Sequence, residues 1–170
     1  MRLRLVKYLL AAALSLAFIS KAEDSDAQAR GVGARIGYGY DALFQGYGFN
    51  SPSSYYELST GVDIVGDGGF RLALTYNWPI ATSSWTSKGT WRWYLGPGVA
   101  SGYLCGHQGG SNVDLMFAFV VQLTLEWQLS NHFALSADAR PMYGYHFGDG
   151  DVYKGGFYGF LPSFGVKYLF

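Results

Sequence analysis

The chain has a single cysteine, Cys105, so no intrachain disulfide can hold it together. Charge is scarce: 14% of the residues are Asp, Glu, Lys or Arg, against about 25% in an ordinary soluble domain. The net charge is zero, so no basic surface points to nucleic acid. Sequence signatures for a zinc protease helix, a paired-cysteine metal site and a phosphate loop are all missing. Long apolar runs are missing too. The longest, Leu9 to Ile19, is well short of the ~20 residues of a membrane-spanning helix. What the chain does have is 24 glycines and an aromatic share of 18%. Its length is that of one domain.

Residues 1–29 read as an export signal. Arg2, Arg4 and Lys7 precede the short apolar run, and small residues follow at cleavage spacing. Ser20-Lys21-Ala22, Ser25-Asp26-Ala27 and Ala27-Gln28-Ala29 each fit, placing the cut between 22 and 29. Cys105 is too distant to make this a lipoprotein signal. An anchor helix is disfavoured because the run is short and its flank, Glu23, Asp24 and Asp26, is acidic. Residues 30–170 are then the mature domain. Without a long apolar helix, this part can enter a membrane only as a closed barrel.

The mature part alternates. Side chains on a strand point to opposite faces with a period of two. Over 114–129, Leu115, Phe117, Phe119, Val121, Leu123, Leu125, Trp127 and Leu129 share one face. Met116, Ala118, Val120, Gln122, Thr124, Glu126 and Gln128 share the other. Soluble strands usually run about 5–6 residues, while membrane strands need about 9–11. The same pattern recurs around Tyr56–Ile64, Phe70–Trp78, Trp91–Ala100, Phe133–Tyr143 and Tyr158–Phe170. Two weaker segments, 31–39 and 41–48, form either a hairpin or one bent strand. An even count, with both termini at one end, favours eight. The expected fold is an all-β, eight-stranded antiparallel up-and-down transmembrane β-barrel.

Tight turns are expected at Gly66-Asp67-Gly68-Gly69 and Ser130-Asn131, and longer loops at 105–113 and 146–156. With the termini in the periplasm, the longer loops fall outside, as is usual in such barrels. Trp78, Trp91, Trp93, Trp127, Phe133, Tyr168 and Phe170 then form a periplasmic aromatic girdle. Phe70, Tyr103, Tyr143, Tyr145 and Tyr158 form an outer one. Pro97, Pro141 and Pro162 interrupt strands, and bulges or bends are expected there.

The inward faces carry the charges of the strands: Arg35, Arg71, Arg92, Arg140 and Lys167 against Asp41, Glu57, Asp63, Glu126 and Asp138. Unpaired charges in a narrow lumen cost several kcal/mol each, so a paired network is expected. About eight strands leave an interior that side chains fill. The lumen therefore reads as plugged, with an ion path through it as the lesser alternative. A soluble lipocalin-like binder would need the reverse arrangement, with an apolar interior.

Several stretches carry a resemblance. Gly31–Tyr40 (GVGARIGYGY) resembles the opening strand of small outer-membrane β-barrel proteins of the Bacteroidetes. Trp93–Gly102 (WYLGPGVASG) and Leu135–Met142 (LSADARPM) resemble their later strands, and Phe164–Phe170 (FGVKYLF) their last. The resemblance covers residues 30–170. It implies a barrel of the OmpX-like and OmpA-membrane-domain form in a Gram-negative cell envelope. It implies outer-membrane lipids as partners and recognition of the terminal aromatic by the barrel-assembly machinery. It implies no reaction and no cofactor.

Some small barrels modify lipid A, which is the alternative reading. Here His107, His132 and His146 are the histidines. Ser101, Ser111, Asp149 and Asp151 could stand near His107 and His146, while His132 falls at a turn. A nucleophile, base and acid must be within hydrogen-bond reach of one another, and no local nucleophile motif marks such a set. Asp149-Gly150-Asp151, with Asp67 and Asp114, offers oxygens to a hard cation but lacks the closing Glu of a calcium loop. These residues read as solvated loops. The expectation is a structural or surface-interaction protein with no catalytic, cofactor or metal site and an unidentified surface ligand.

Overall fold

The computed structural model describes residues 30–37, 39–48, 53–63, 68–86, 89–105, 113–148, 151–154 and 162–170. The export signal expected in residues 1–29 lies outside them. Ten strand segments are present: β1 (Gly31–Ile36), β2 (Gly39–Tyr47), β3 (Tyr55–Asp63), β4 (Gly69–Thr86), β5 (Gly89–Cys105), β6 (Val113–Gln128), β7 (Phe133–Ala139), β8 (Met142–Gly148), β9 (Asp151–Lys154) and β10 (Ser163–Leu169). They fill eight strand positions. β7 and β8 both lie against β6 and form one strand interrupted at Arg140 and Pro141. β9 and β10 run back along β8 and β7. Every pairing is antiparallel, β5 meets both β4 and β6, and β1 meets both β2 and β10. The sheet thus closes on itself as an eight-stranded up-and-down barrel.

Alternation builds each wall. In β10, Ser163, Gly165, Lys167 and Leu169 are buried, while Phe164, Val166 and Tyr168 are exposed. β6 repeats this from Met116 to Thr124 without a break. The ladder also shows that the strands tilt. A hydrogen-bonded path from Gly31, at the end of β1, runs through Gln45, Glu57, Thr75, Gly98 and Val120 to Met142. It begins at the terminal end of the barrel and arrives midway up the β7–β8 strand. Closure of a sheet into a barrel demands this inclination.

Four expectations about local structure need correction. The first two segments form a hairpin, but β1 stops at Ile36 and β2 starts at Gly39, earlier than 41. Gly37 turns the chain, its N–H donating to the Gly39 carbonyl at 3.0 Å. A Cβ on Gly37 would stand 2.5 Å from the Ser163 Cβ, so the close approach requires glycine. At the second site, the turn expected over 66–69 ends sooner: Gly68 has φ of 76° and β4 already begins at Gly69. Third, the segment 146–156, read as a loop, holds the end of β8 and all of β9.

The fourth correction concerns proline. No register shift occurs at Pro97. Its pairing with β6 is continuous, and its pairing with β4 lapses between Gly98 and Leu95 and resumes in the same register. At Pro141 the chain leaves the ladder for two residues without slipping, and the Pro141 carbonyl still accepts from the Val121 N–H at 3.1 Å. A proline removes one donor, and an interrupted ladder absorbs that without an extra residue. The shifts lie instead at Pro79/Ala81 and Ser83/Thr86, in the part of β4 beyond Asn77, where β3 has ended. Pro162 immediately precedes β10.

Candidate functional site: the charged lumen

The inward side chains meet across the barrel. Near the end away from the termini, Asp41 on β2 is approached by three guanidinium groups: Arg71 at 3.3 Å, Arg35 at 3.9 Å, and Arg140, which donates directly to it. Arg71 also meets Asp63 at 3.0 Å, and Arg140 donates to the Ser59 hydroxyl at 3.1 Å. Midway, Arg35 donates through Nη2 to Glu57 at 2.7 Å and through Nε to Asp138 at 3.0 Å. Towards the termini, the Lys167 ammonium lies 3.3 Å from Glu57 and 3.1 Å from Glu126. It also stands 4.7 Å from the centre of the Tyr55 ring. The links form one continuous chain from Asp63 to Glu126.

Burial makes these contacts matter. Arg35, Glu57, Glu126, Asp138 and Lys167 are each no more than 2% exposed. Charge in such a place must be matched, because water cannot solvate it. Arg92 differs from the expectation of one network for all ten groups. It is half-buried near the terminal end and donates to Gln128 Oε1 at 2.7 Å. Glu126, opposite it on the ladder, is engaged by Lys167 instead.

Neutral side chains complete the network, and sequence reasoning did not name them as members. Gln122 donates to Glu57 at 3.0 Å and accepts from Thr75 at 3.1 Å. Asp138 also accepts from Ser136 at 3.0 Å and from Thr124. Tyr55 donates its bulk to the lumen, meeting Tyr94 edge-on at 4.9 Å. An apolar cluster lines another part of the inner wall: Ala73, Ala100, Ala118, Val120 and Met142. Inward parity was the available signal for all of these. Their polarity or size gave none, since nothing in a neutral Gln or an Ala marks which face it takes.

Outside, several aromatics lie towards the terminal end. Trp91 and Trp127 face each other on the ladder and stack at 5.0 Å. Tyr168 contacts Phe133 at 5.3 Å and Phe170 at 6.3 Å. Trp93 is half-buried opposite Leu125. Trp78 is 39% exposed and sits where β3 ends, not at the end of its own strand. Phe70, Tyr103, Tyr143 and Tyr145 are exposed towards the other end, and Tyr158 lies outside the described residues.

The candidate catalytic groups do not come together in view. His107, Ser111, Asp67 and Asp149 lie outside the described residues. The backbones of His146 and Asp151 belong to β8 and β9, not to a loop. Ser101 is half-buried on β5, and Asp114 is buried on β6. His132 secures the chain end: its ring stacks on Tyr168 at 5.8 Å, and Nδ1 lies 3.1 Å from the Leu169 carbonyl. Among the described residues no group of His, Cys, Asp and Glu is placed to hold a metal ion. No known protein family, curated protein or solved structure matches the chain.

Proposed function

We propose that the protein is an integral outer-membrane β-barrel with a side-chain-filled, charge-paired lumen, serving a structural or surface-interaction role and not acting as an open pore. One observation carries this reading: the barrel is polar inside and apolar outside. In β1 to β8 and β10, no outward position among the described residues holds Asp, Glu, Lys, Arg or His. Large apolar side chains are exposed all round the ring, up to 75% for Phe119 and 64% for Phe164. A water-soluble monomer rarely shows a contiguous apolar patch beyond a few hundred Å². Lipid is the solvent that suits such a belt, and aromatic residues at its borders suit the lipid–water interface.

Supporting features come from elsewhere in the chain. The apolar run at residues 9–19 fits export, and the resemblance to OmpX-like proteins of the Bacteroidetes fits an outer-membrane home. The buried ion pairs fit a plug. Under this reading, lipids are the standing partners, the barrel-assembly machinery handles insertion, and the outer loops meet a surface ligand.

Gel migration tests the reading. Detergent-extracted protein should run faster unheated than boiled, because a closed barrel resists dodecyl sulfate until heated. It should also sediment with outer membranes after cell fractionation. Full solubility without detergent would overturn the proposal.

A further inference from the structure

The ring is closed by one ladder that has no chain continuity behind it. β1 and β2 are joined by the Gly37 turn, and β10 follows β9 along the β8–β7 strand, but β1 and β10 are the two ends of the barrel sequence. Their ladder is short, running from Gly31 opposite Leu169 to Ile36 opposite Phe164. The β5–β6 ladder, by comparison, runs from Thr90 to Cys105. Two inward steps of the seam also place a long side chain opposite a glycine: Lys167 opposite Gly33, and Arg35 opposite Gly165. On its inward face the seam therefore gains little from packing between facing side chains.

Its two cations reach elsewhere. Arg35, on β1, donates to Asp138 on β7, which lies beyond β10 on the far side of the seam. Lys167, on β10, is held by Glu57 on β3, which lies beyond β1 and β2 on the opposite side. The two links cross. Glu57 receives both cations, Arg35 at 2.7 Å and Lys167 at 3.3 Å, and Glu126 anchors Lys167 from its own side at 3.1 Å. Parting β1 from β10 would separate both crossed pairs and leave charges stranded in the lumen.

We propose that Arg35, Lys167, Glu57 and Asp138 form an ionic clasp that holds β1 to β10, so that this seam is where the wall opens when the clasp is released. The clasp follows from the closed ring and is independent of which membrane holds the barrel. It makes Glu57 a positioning residue for two strands it does not touch through backbone pairing.

Hydrogen exchange of the full chain in dodecyl maltoside micelles tests this, with Glu57→Gln, Lys167→Met and, as control, Arg71→Gln. Amides of β1 and β10 should exchange at least about tenfold faster in the first two variants, while those of the β4–β5 ladder change less than about twofold. Arg71→Gln, which breaks links at the other end of the network, should leave the seam as it was. Faster exchange spread evenly round the ring, or confined to β3, would overturn the clasp. Should Glu57→Gln or Lys167→Met fail to give the closed, fast-migrating form, the failure is checked with a covalent staple. Ala34→Cys and Val166→Cys, directly opposite across the seam, are added on a Cys105→Ser background. The staple should restore the closed form, and a stapled variant that stays open would refute the proposal.

Discussion

Asp138 shows what a single lumen residue contributes. It accepts from Arg35, Ser136 and Thr124 while 2% exposed. Asp138→Ala would leave the Arg35 guanidinium short of a partner in a place water does not reach. Such a loss costs about 3–5 kcal/mol, read as a lowered urea midpoint in micelles. Asp63→Asn at the rim of the network should cost about 1 kcal/mol, since the amide keeps the shape and only the ion pair with Arg71 is lost. Glycine matters by the same steric logic. A Cβ on Gly61 would sit 2.1 Å from Asp41 Oδ1 and 2.4 Å from the Tyr40 carbonyl. Gly61→Ala should therefore destabilise by about 1–3 kcal/mol in the same assay. Which residues face inward was legible from parity. Which carboxylate each cation reaches was not, because Arg35 and Asp138 lie 103 residues apart.

At the scale of elements, β6 was the most readable strand and β1 among the least. The outward row from Leu115 to Trp127 is uniformly large and apolar, so period two stands clear of noise. β1 contains Gly31 and Gly33 and is followed by Gly37, which carry no facing signal, so its end could not be placed. β9 was hidden for a different reason. Its four residues, Asp151–Lys154, follow a Gly- and Asp-rich stretch whose composition speaks for a loop, and pairing with β8 overrides composition. The outward face of β6 also gives a direct test of its surroundings. Phe119→Arg should cost about 2–4 kcal/mol when the barrel is folded into lipid vesicles. Near-zero cost there would mean that water, not lipid, covers this wall.

For the whole molecule, the lumen decides between plug and pore. Buried ion pairs and neutral side chains link across the lumen from Asp41 to Glu126. Purified protein in a planar bilayer should show no stable large openings. Glu57→Gln should raise conductance, if at all, only through brief events, since Gln122, Thr75 and Tyr55 remain in the lumen. Stable large openings in the unaltered protein would overturn the plugged reading.

The sequence by itself determined the alternation, and with it the inward placing of charge and the number of strands. These are local properties, fixed by the period-two geometry of any strand. Only the tertiary structure decided that Glu57 ties both closing strands, that Gln128 takes Arg92, and that Pro97 and Pro141 interrupt ladders without shifting them. Those outcomes depend on ladder register and strand tilt. Both are set by closing the ring, where each pairing constrains all the others at once.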